Sequence, residues 1–208
     1  MKSFTLLFAA VFICSTSWAK IEVGSQAADK YFKKRQSSKQ VQSRKQMSPR
    51  NASHYLALHL GSFVDDKAYN WGSDTHKDIG GMSLGMSYRV GEWVDSSDLL
   101  IRVDFASYDL NQGHSTKMSF LPMVTFPDAK SMFPLYFGAG IGPGVFFKQI
   151  EGESSLALDY QLVAGGRFFN VINSIGLTFE AGIKNHINIL SDGQFNGVFV
   201  TAGSVFVF

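Results

Sequence analysis

The chain has 208 residues, a net charge of +2 and one cysteine, and hydrophobic residues make up 45% of it. Its length predicts a single domain, and its hydrophobic share is that of an ordinary soluble protein, so the distribution of residues is more informative than their average. After the predicted export signal no apolar run reaches about eighteen residues, which excludes a protein that crosses a membrane with helices. Because Cys14 lies within that signal, we expect neither disulfides nor thiol chemistry in the exported chain.

Residues 1–19 are predicted to form a secretory signal peptide. Lys2 is followed by an apolar run from Phe4 to Cys14 and by the small residues Ser17 and Ala19 around a cleavage position after Ala19. Ile13 stands where a lipoprotein signal would carry a small residue, which disfavours lipidation at Cys14. We therefore expect an exported chain that is cleaved after Ala19.

Residues 20–52 are predicted to be a basic, largely disordered arm in the periplasm. The stretch 20–50 holds nine basic and two acidic residues, whereas 51–208 holds nine basic and fifteen acidic ones. The arm has too few aliphatic side chains to form a core. Two interpretations remain open: a solvated leader, or a tether for a polyanion such as anionic lipid head groups. No nucleic acid partner is expected for an exported chain.

From residue 54 onward, apolar and polar residues alternate as in strands whose faces meet different environments. In GGMSLGMSYRV, Met82 and Leu84 fall on one face while Ser83 and Arg89 fall on the other. Eight segments show this pattern, namely 54–63, GGMSLGMSYRV (80–90), 98–107, 116–126, 133–148, 155–168, 174–187 and 197–208. Either a soluble barrel with an apolar interior or a membrane barrel with an apolar outside fits them.

The polar face decides between these two folds. It consists mostly of small residues, which suit the narrow lumen of about eight strands better than a wall that faces water. We therefore predict an all-β fold, an eight-stranded antiparallel transmembrane β-barrel over residues 53–208. The few charged residues of this face are predicted to form a lumen charge network of Arg89, Arg102, Asp104, Lys117, Asp159, Arg167, Glu180 and Lys184. Their mixed signs favour a structural plug of ion pairs over a polar path for solutes.

Aromatic residues are predicted to gather at one end of the apolar face. If the chain enters the barrel from the periplasm, a periplasmic girdle is formed by Tyr88, Phe126, Phe133, Phe168, Phe206 and Phe208. At this end the connections 91–97, 127–132 and 169–173 are short. The predicted outer loops 64–78, 108–115, 149–154 and 188–196 are mostly longer, as in outer-membrane barrels.

Four stretches carry a resemblance to a known class of proteins. FPLYFGAGIGPGVFF, LDYQLVAGGRFF, LTFEAGIKNH and the final GSVFVF resemble the small OmpA- and OmpW-like outer-membrane β-barrels. The resemblance covers residues 54–208, and the terminal Phe208 is similar to the assembly signal of that class. It implies an architecture rather than an activity, because the same barrel hosts pores, adhesins, structural anchors and lipid-modifying enzymes.

The search for chemistry finds no catalytic, cofactor-binding or metal-binding constellation. Lipid A deacylase barrels use a His and a Ser two residues apart, but His186 is followed by Asn188, and residues 196–208 contain no Asp or Glu. The five histidines show no metal-ligand spacing. We therefore expect no enzymatic activity and no cofactor.

The predicted function is that of an outer-membrane protein of structural or surface-interaction type with a mostly plugged polar lumen. A narrow, porin-like pore or carrier for small or apolar solutes, which the OmpW resemblance implies, is the alternative, and a lipid A-modifying enzyme is less favoured. The expected location is the outer membrane of a Gram-negative bacterium. The expected partners are outer-membrane lipids, lipopolysaccharide and the outer-membrane assembly machinery, and we expect a monomer.

Overall fold

The computed structural model describes residues 54–208, except 72–73, 95, 111–112, 149 and 151, and it leaves the side chains of residues 74 and 75 undescribed. The predicted signal peptide 1–19 and basic arm 20–52 lie outside the described residues. Within these limits, none of the described residues belongs to a helix long and apolar enough to cross a membrane.

The described residues form one antiparallel sheet that closes on itself. Its strands are β1 (Tyr55–Trp71), β2 (Asp74–Lys77), β3 (Gly80–Glu92), β4 (Asp98–Leu110), β5 (Gly113–Phe126), β6 (Leu135–Phe146), β7 (Leu156–Ile172), β8 (Ile175–Asn188) and β9 (Gln194–Val207). Each strand of the series β1, β3 to β9 pairs with the next, and β1 also pairs with β9, while the short β2 pairs with β1. The predicted eight-stranded barrel is confirmed, and β2 is an addition that the sequence analysis did not predict.

Strand β1 is much longer than the predicted segment 54–63. The register with β9 pairs Phe63 with Phe199 and Asp65 with Val198, so Val64 is an extra residue. Such a β-bulge breaks the alternation of period two. Phe63 and then Asp66 and Ala68 are buried, and for this reason the sequence pattern ended at Phe63 although the strand continues to Trp71.

The barrel has two ends, which differ in their connections. At the turn end lie the connections 93–97, 127–134 and 173–174, together with the last residue, Phe208. At the loop end lie β2 and the connections 111–112, 147–155 and 189–193. The predicted loops 64–78 and 108–115 are therefore wrong in extent, because the strands continue through most of both stretches.

The two faces of the sheet separate apolar from polar side chains. Large apolar residues on the outward face, such as Leu84 (54% exposed), Leu162 (51%) and Phe179 (51%), form a continuous belt around the barrel. Water is not a suitable solvent for a belt of this extent, whereas hydrocarbon is. The inside holds the buried polar groups and a set of aromatic rings.

Candidate functional site

All eight charged residues predicted for the lumen lie inside the barrel, and their exposed fractions range from 0% for Lys117 to 7% for Glu180. Ion pairs divide them into three groups at successive depths rather than joining them in a single network. Asp98 is fully buried among them and was missed by the sequence analysis, as were Asp66 and Glu153, which are buried toward the loop end. The position of Asp98 decides the first of the three groups. The location of Asp98 at the start of β4, in phase with Arg102 and Asp104, could have revealed it.

The first group closes the turn end of the lumen around Asp98. This carboxylate accepts hydrogen bonds from Arg89 Nε at 2.6 Å and from the backbone N–H of Ala129 at 2.8 Å. Arg167 lies 3.5 Å away from it and donates to the hydroxyl of Tyr55. The Arg167 guanidinium also lies 4.0 Å from the centre of the Tyr136 ring. Arg89 and Arg167 therefore share the single carboxylate of Asp98. The aromatic ring beside Arg167 stabilises the second positive charge through a cation–π contact.

The second group crosses the middle of the lumen. Arg102 Nη1 lies 2.6 Å from Glu180 Oε2, and Lys184 Nζ lies 2.9 Å from Asp104 Oδ2. Arg102 also pairs with Asp104 at 3.0 Å, which links the two cross-lumen pairs. Strands β4 and β8, which carry these residues, are four places apart in a ring of eight, so the ion pairs span the barrel.

Four further polar side chains complete the second group. Glu180 accepts hydrogen bonds from the hydroxyls of Tyr136 and Thr201, and His59 Nδ1 lies 3.7 Å from it. His59 Nε2 in turn lies 3.1 Å from Ser87 Oγ. Low dielectric strengthens these contacts, and hydrogen bonds are what make a buried charge tolerable.

The third group lies toward the loop end around Lys117. Its Nζ lies 2.9 Å from Asp159 Oδ1 and 2.8 Å from His186 Nδ1, and Asp159 also accepts from the hydroxyl of Ser119. A side chain on Gly144 would contact this carboxylate, because a Cβ there would lie 2.6 Å from Asp159 Oδ1. Gly144, the last glycine of the GAGIGPG stretch, thus leaves room for the buried carboxylate of Asp159.

An aromatic box covers the third group. The His186 ring stacks on Phe195, with centroids 5.1 Å apart, and meets Trp71 at 5.0 Å, Phe146 at 5.4 Å and Tyr108 at 5.6 Å. These rings are buried and fill the lumen above Lys117. The box was not predicted, because Trp71, Tyr108 and Phe195 fall in the stretches 64–78, 108–115 and 188–196 that were predicted to be outer loops, whereas the structure places them in strands.

The residues predicted for the aromatic girdle lie near the turn end. Tyr88, Phe126, Phe133, Phe168 and Phe208 are between 37% and 67% exposed. Phe206 is half-buried, and its neighbour in the sequence, Val207, pairs with Tyr55. Tyr88 on β3 and Phe208, which follows β9, stack with their centroids 6.3 Å apart at this rim.

His186 and Asn188, which were compared with a deacylase constellation, face the interior. His186 contacts Lys117, whereas Asn188 Nδ2 donates to Glu153 Oε2 at 3.1 Å, and Ser191 donates to the same oxygen at 2.6 Å. These contacts join the loop 147–155 to the loop 189–193. In the part of the chain that the structure describes, no three His, Cys, Asp or Glu residues form a metal-binding group.

Three solved outer-membrane proteins are similar to this chain in structure. Neisserial surface protein A is 14% identical, with 75% of this chain and 97% of that one covered and a TM-score of 0.51. The outer membrane enzyme PagL is 15% identical, with 72% and 97% covered and a TM-score of 0.49. Ail, the attachment invasion locus protein of Yersinia pestis, is 11% identical, with 74% and 99% covered and a TM-score of 0.45. The sequence matches no family model and no curated protein.

The likeness to the neisserial protein concerns the fold. The chain has the closed eight-stranded architecture of the small outer-membrane barrels, as its resemblance to OmpA- and OmpW-like proteins implied. One such barrel can host unrelated activities, so the function has to be argued from the interior and the surface of this chain.

Proposed function

We propose that this chain is an outer-membrane protein of a Gram-negative bacterium that acts as a structural or surface-interaction protein and does not conduct solutes. The belt of exposed Leu, Phe, Met and Val side chains supports a position in the membrane, because a closed barrel leaves no unpaired sheet edge in hydrocarbon. The short turn end then faces the periplasm and the loop end faces outward.

The observation that carries the plugged lumen is the pair of ion pairs between opposite strands. Arg102–Glu180 and Lys184–Asp104 bridge β4 and β8 at 2.6 Å and 2.9 Å. The aromatic box lies above them, and the Asp98 group lies below. A solute would have to displace these contacts at three depths, and eight strands leave only enough interior for side chains.

Conductance in planar lipid bilayers tests this proposal. We expect no channel activity from the inserted chain, and none from a variant in which Arg102, Asp104, Glu180 and Lys184 are all replaced by Ser, because the aromatic box and the Asp98 group still close the lumen on either side. Insertion is verified for both proteins by protease protection in vesicles. Steady conductance of the unaltered chain would overturn the plug and favour the narrow pore.

Location and sidedness have their own test. The folded chain should fractionate with outer membranes, and an unboiled sample should migrate anomalously on a detergent gel. An epitope inserted before Gly152, where the backbone has a positive φ of 79° and open space around it, should be detected on intact cells. An epitope beside the 91% exposed Met132 should be detected only after permeabilisation. A freely soluble chain would contradict the proposal.

The proposed role involves no catalysis, and this part of the proposal has a separate test. The mass of lipid A from cells that overproduce the chain should equal that from cells without it. A loss or gain of an acyl chain would favour a lipid-modifying enzyme instead.

A further inference from the structure

A pocket of about 420 Å³ opens on the outer wall of the barrel near the loop end. Its polar lining consists of two lysines, two aspartates, two asparagines and a tyrosine, namely Lys67, Lys77, Asp65, Asp66, Asn185, Asn196 and Tyr69. The pocket is formed by β1, β2, β8 and β9, and it lies outside the lumen described above.

The register places four of these residues in one row across four strands. Lys77 is opposite Lys67, Lys67 is opposite Asn196, and Asn196 is opposite Asn185. Directly opposed residues of an antiparallel pair lie on the same face of the sheet. This face is the outer one, because Asp66 and Ala68 beside Lys67 are buried, as are Phe195 and Gly197 beside Asn196.

The two lysines form a like-charged pair. Side chains directly opposite each other have Cβ atoms about 4.5–5.5 Å apart, and like charges at this distance destabilise a sheet. Among the described side chains, no carboxylate lies within 4.0 Å of either ammonium group, and Lys67 Nζ lies 4.8 Å from the centre of the Tyr69 ring. An anion between them would remove this repulsion.

The acidic groups of the pocket do not fill that role. Asp66 points inward, and its two carboxylate oxygens accept the backbone N–H groups of Ile79 at 2.8 Å and Gly80 at 2.9 Å. Asp65 lies on the outer face one row below the lysines, opposite Val198. Within the row itself, Lys67 and Lys77 are the charged residues and both are positive, although Asp65 and Asp66 also line the pocket.

The pocket lies at the upper border of the apolar belt. On β9 the outward residues from Phe206 to Val198 are apolar or small, and Asn196 is the first amide above them. Eight residues at about 3.3 Å each, tilted by about 40°, span roughly 20 Å, close to the height of about 25 Å expected for such a belt. The row Lys77, Lys67, Asn196 and Asn185 thus lies where lipid head groups begin.

We propose that this pocket binds the phosphate group of an outer-leaflet membrane lipid, with Lys67 and Lys77 as the cationic partners and the amides of Asn185 and Asn196 as donors. Asn185 Oδ1 accepts from the backbone N–H of Gly197 at 3.1 Å, which turns its NH₂ group toward other acceptors. Below the row, Val198 and Ile183 provide an apolar surface for an acyl chain. This inference rests on the proposed position in the outer membrane.

Lipid titration tests the site. The refolded chain in zwitterionic detergent is titrated with bis-phosphorylated lipid A, and bound lipid is counted by native mass spectrometry. The double variant Lys67→Gln/Lys77→Gln should bind about 25-fold more weakly, since each lysine near a phosphate-bearing surface contributes about fivefold. Asp65→Asn, which removes one negative charge from the lining of the pocket, should tighten binding.

Matched controls decide the outcome. Lys148→Gln removes one positive charge in the exposed loop 147–155 and is the control for Lys67→Gln alone. Lys148→Gln should bind like the unaltered chain, whereas Lys67→Gln should bind about fivefold more weakly. Equal binding by the double variant and the unaltered chain would overturn the site, as would equal losses in Lys67→Gln and Lys148→Gln. Inorganic phosphate that binds as tightly as the lipid would overturn the lipid as ligand. Every variant is first shown to fold by its anomalous gel migration.

The failure of this inference is distinguishable from that of the proposed function. A chain that fractionates with outer membranes and binds lipid A no better than the double variant refutes the pocket alone. A chain that is freely soluble refutes the proposed location, whatever its affinity for phosphate.

Discussion

At the scale of single residues, the barrel depends on charges that cannot reach water. Replacing Arg102 by Met leaves Glu180 without its closest cation while Asp104 keeps Lys184 at 2.9 Å. Removal of one partner from a buried pair costs about 3–5 kcal/mol, because the other charge stays buried. We expect a loss of this size in the free energy of unfolding, measured by urea titration of the folded chain in detergent micelles.

Two companion variants separate charge burial from general damage. Arg102→Met/Glu180→Gln should recover part of the lost stability, because the variant no longer buries an unpaired carboxylate. The amide of the glutamine has nearly the same shape and still offers an acceptor to the Tyr136 hydroxyl. Lys130→Met breaks the exposed pair with Glu92, whose 2.7 Å contact is solvated, and should leave the unfolding curve unchanged. Equal losses in Arg102→Met and Lys130→Met would contradict a special role of the lumen pairs.

The second prediction at the residue scale concerns Gly144, which packs against a buried carboxylate. A Cβ there would lie 2.6 and 2.7 Å from the carboxylate oxygens of Asp159, which Lys117 and Ser119 hold in place. Gly144→Ala should therefore lower the free energy of unfolding by about 1–3 kcal/mol through overpacking. Gly91→Ala is the control, since nothing lies within 4 Å of its Cβ position. The same urea titration compares them, and indistinguishable curves would refute the crowding argument.

At the scale of elements, the bulge in β1 predicts an unusual tolerance to deletion. Val64 is the extra residue, so its removal leaves Phe63 and Asp65 paired with Phe199 and Val198 and keeps every side chain on its face. Removal of Leu60 from the regular part of β1 would instead shift the register by one residue, so that on one side of the deletion the inward and outward side chains exchange faces. We expect folded, heat-modifiable protein without Val64 and none without Leu60. The reverse result would show that the bulge is required.

The same bulge shows how far sequence could predict the strands. The alternation of apolar and polar residues predicted the inner and outer faces correctly from Leu56 to Leu60 and again within the predicted segments of β3 to β9. Alternation is a property of the pleated strand itself. It could not predict that β1 continues beyond Phe63, since one extra residue reverses the phase. Asp98 was missed for a simpler reason, because it stands at the very start of a strand, where ends are least certain.

The eight charged residues of the predicted lumen network were predictable as inward-facing side chains, but their contacts and the aromatic box were not. The inward phase of Arg102, Lys117 and Glu180 is visible in the sequence. Which cation meets which carboxylate depends on the stagger between strands that are far apart in the chain, as for Arg102 and Glu180. No local pattern encodes that stagger, and only the closed sheet reveals it.

At the scale of the whole molecule, closure brings β1 and β9 together and can be trapped covalently. Leu60 and Ala202 are opposite each other on the outer face, and opposed Cα atoms about 4.5–5.5 Å apart suit a disulfide. In a chain that begins at residue 20 and so lacks Cys14, Leu60→Cys/Ala202→Cys should oxidise only after folding and shift on a non-reducing gel. The pair Leu60→Cys/Phe179→Cys, with Phe179 one strand further away on β8, should not. A disulfide in both variants, or in neither, would refute closure through β1 and β9.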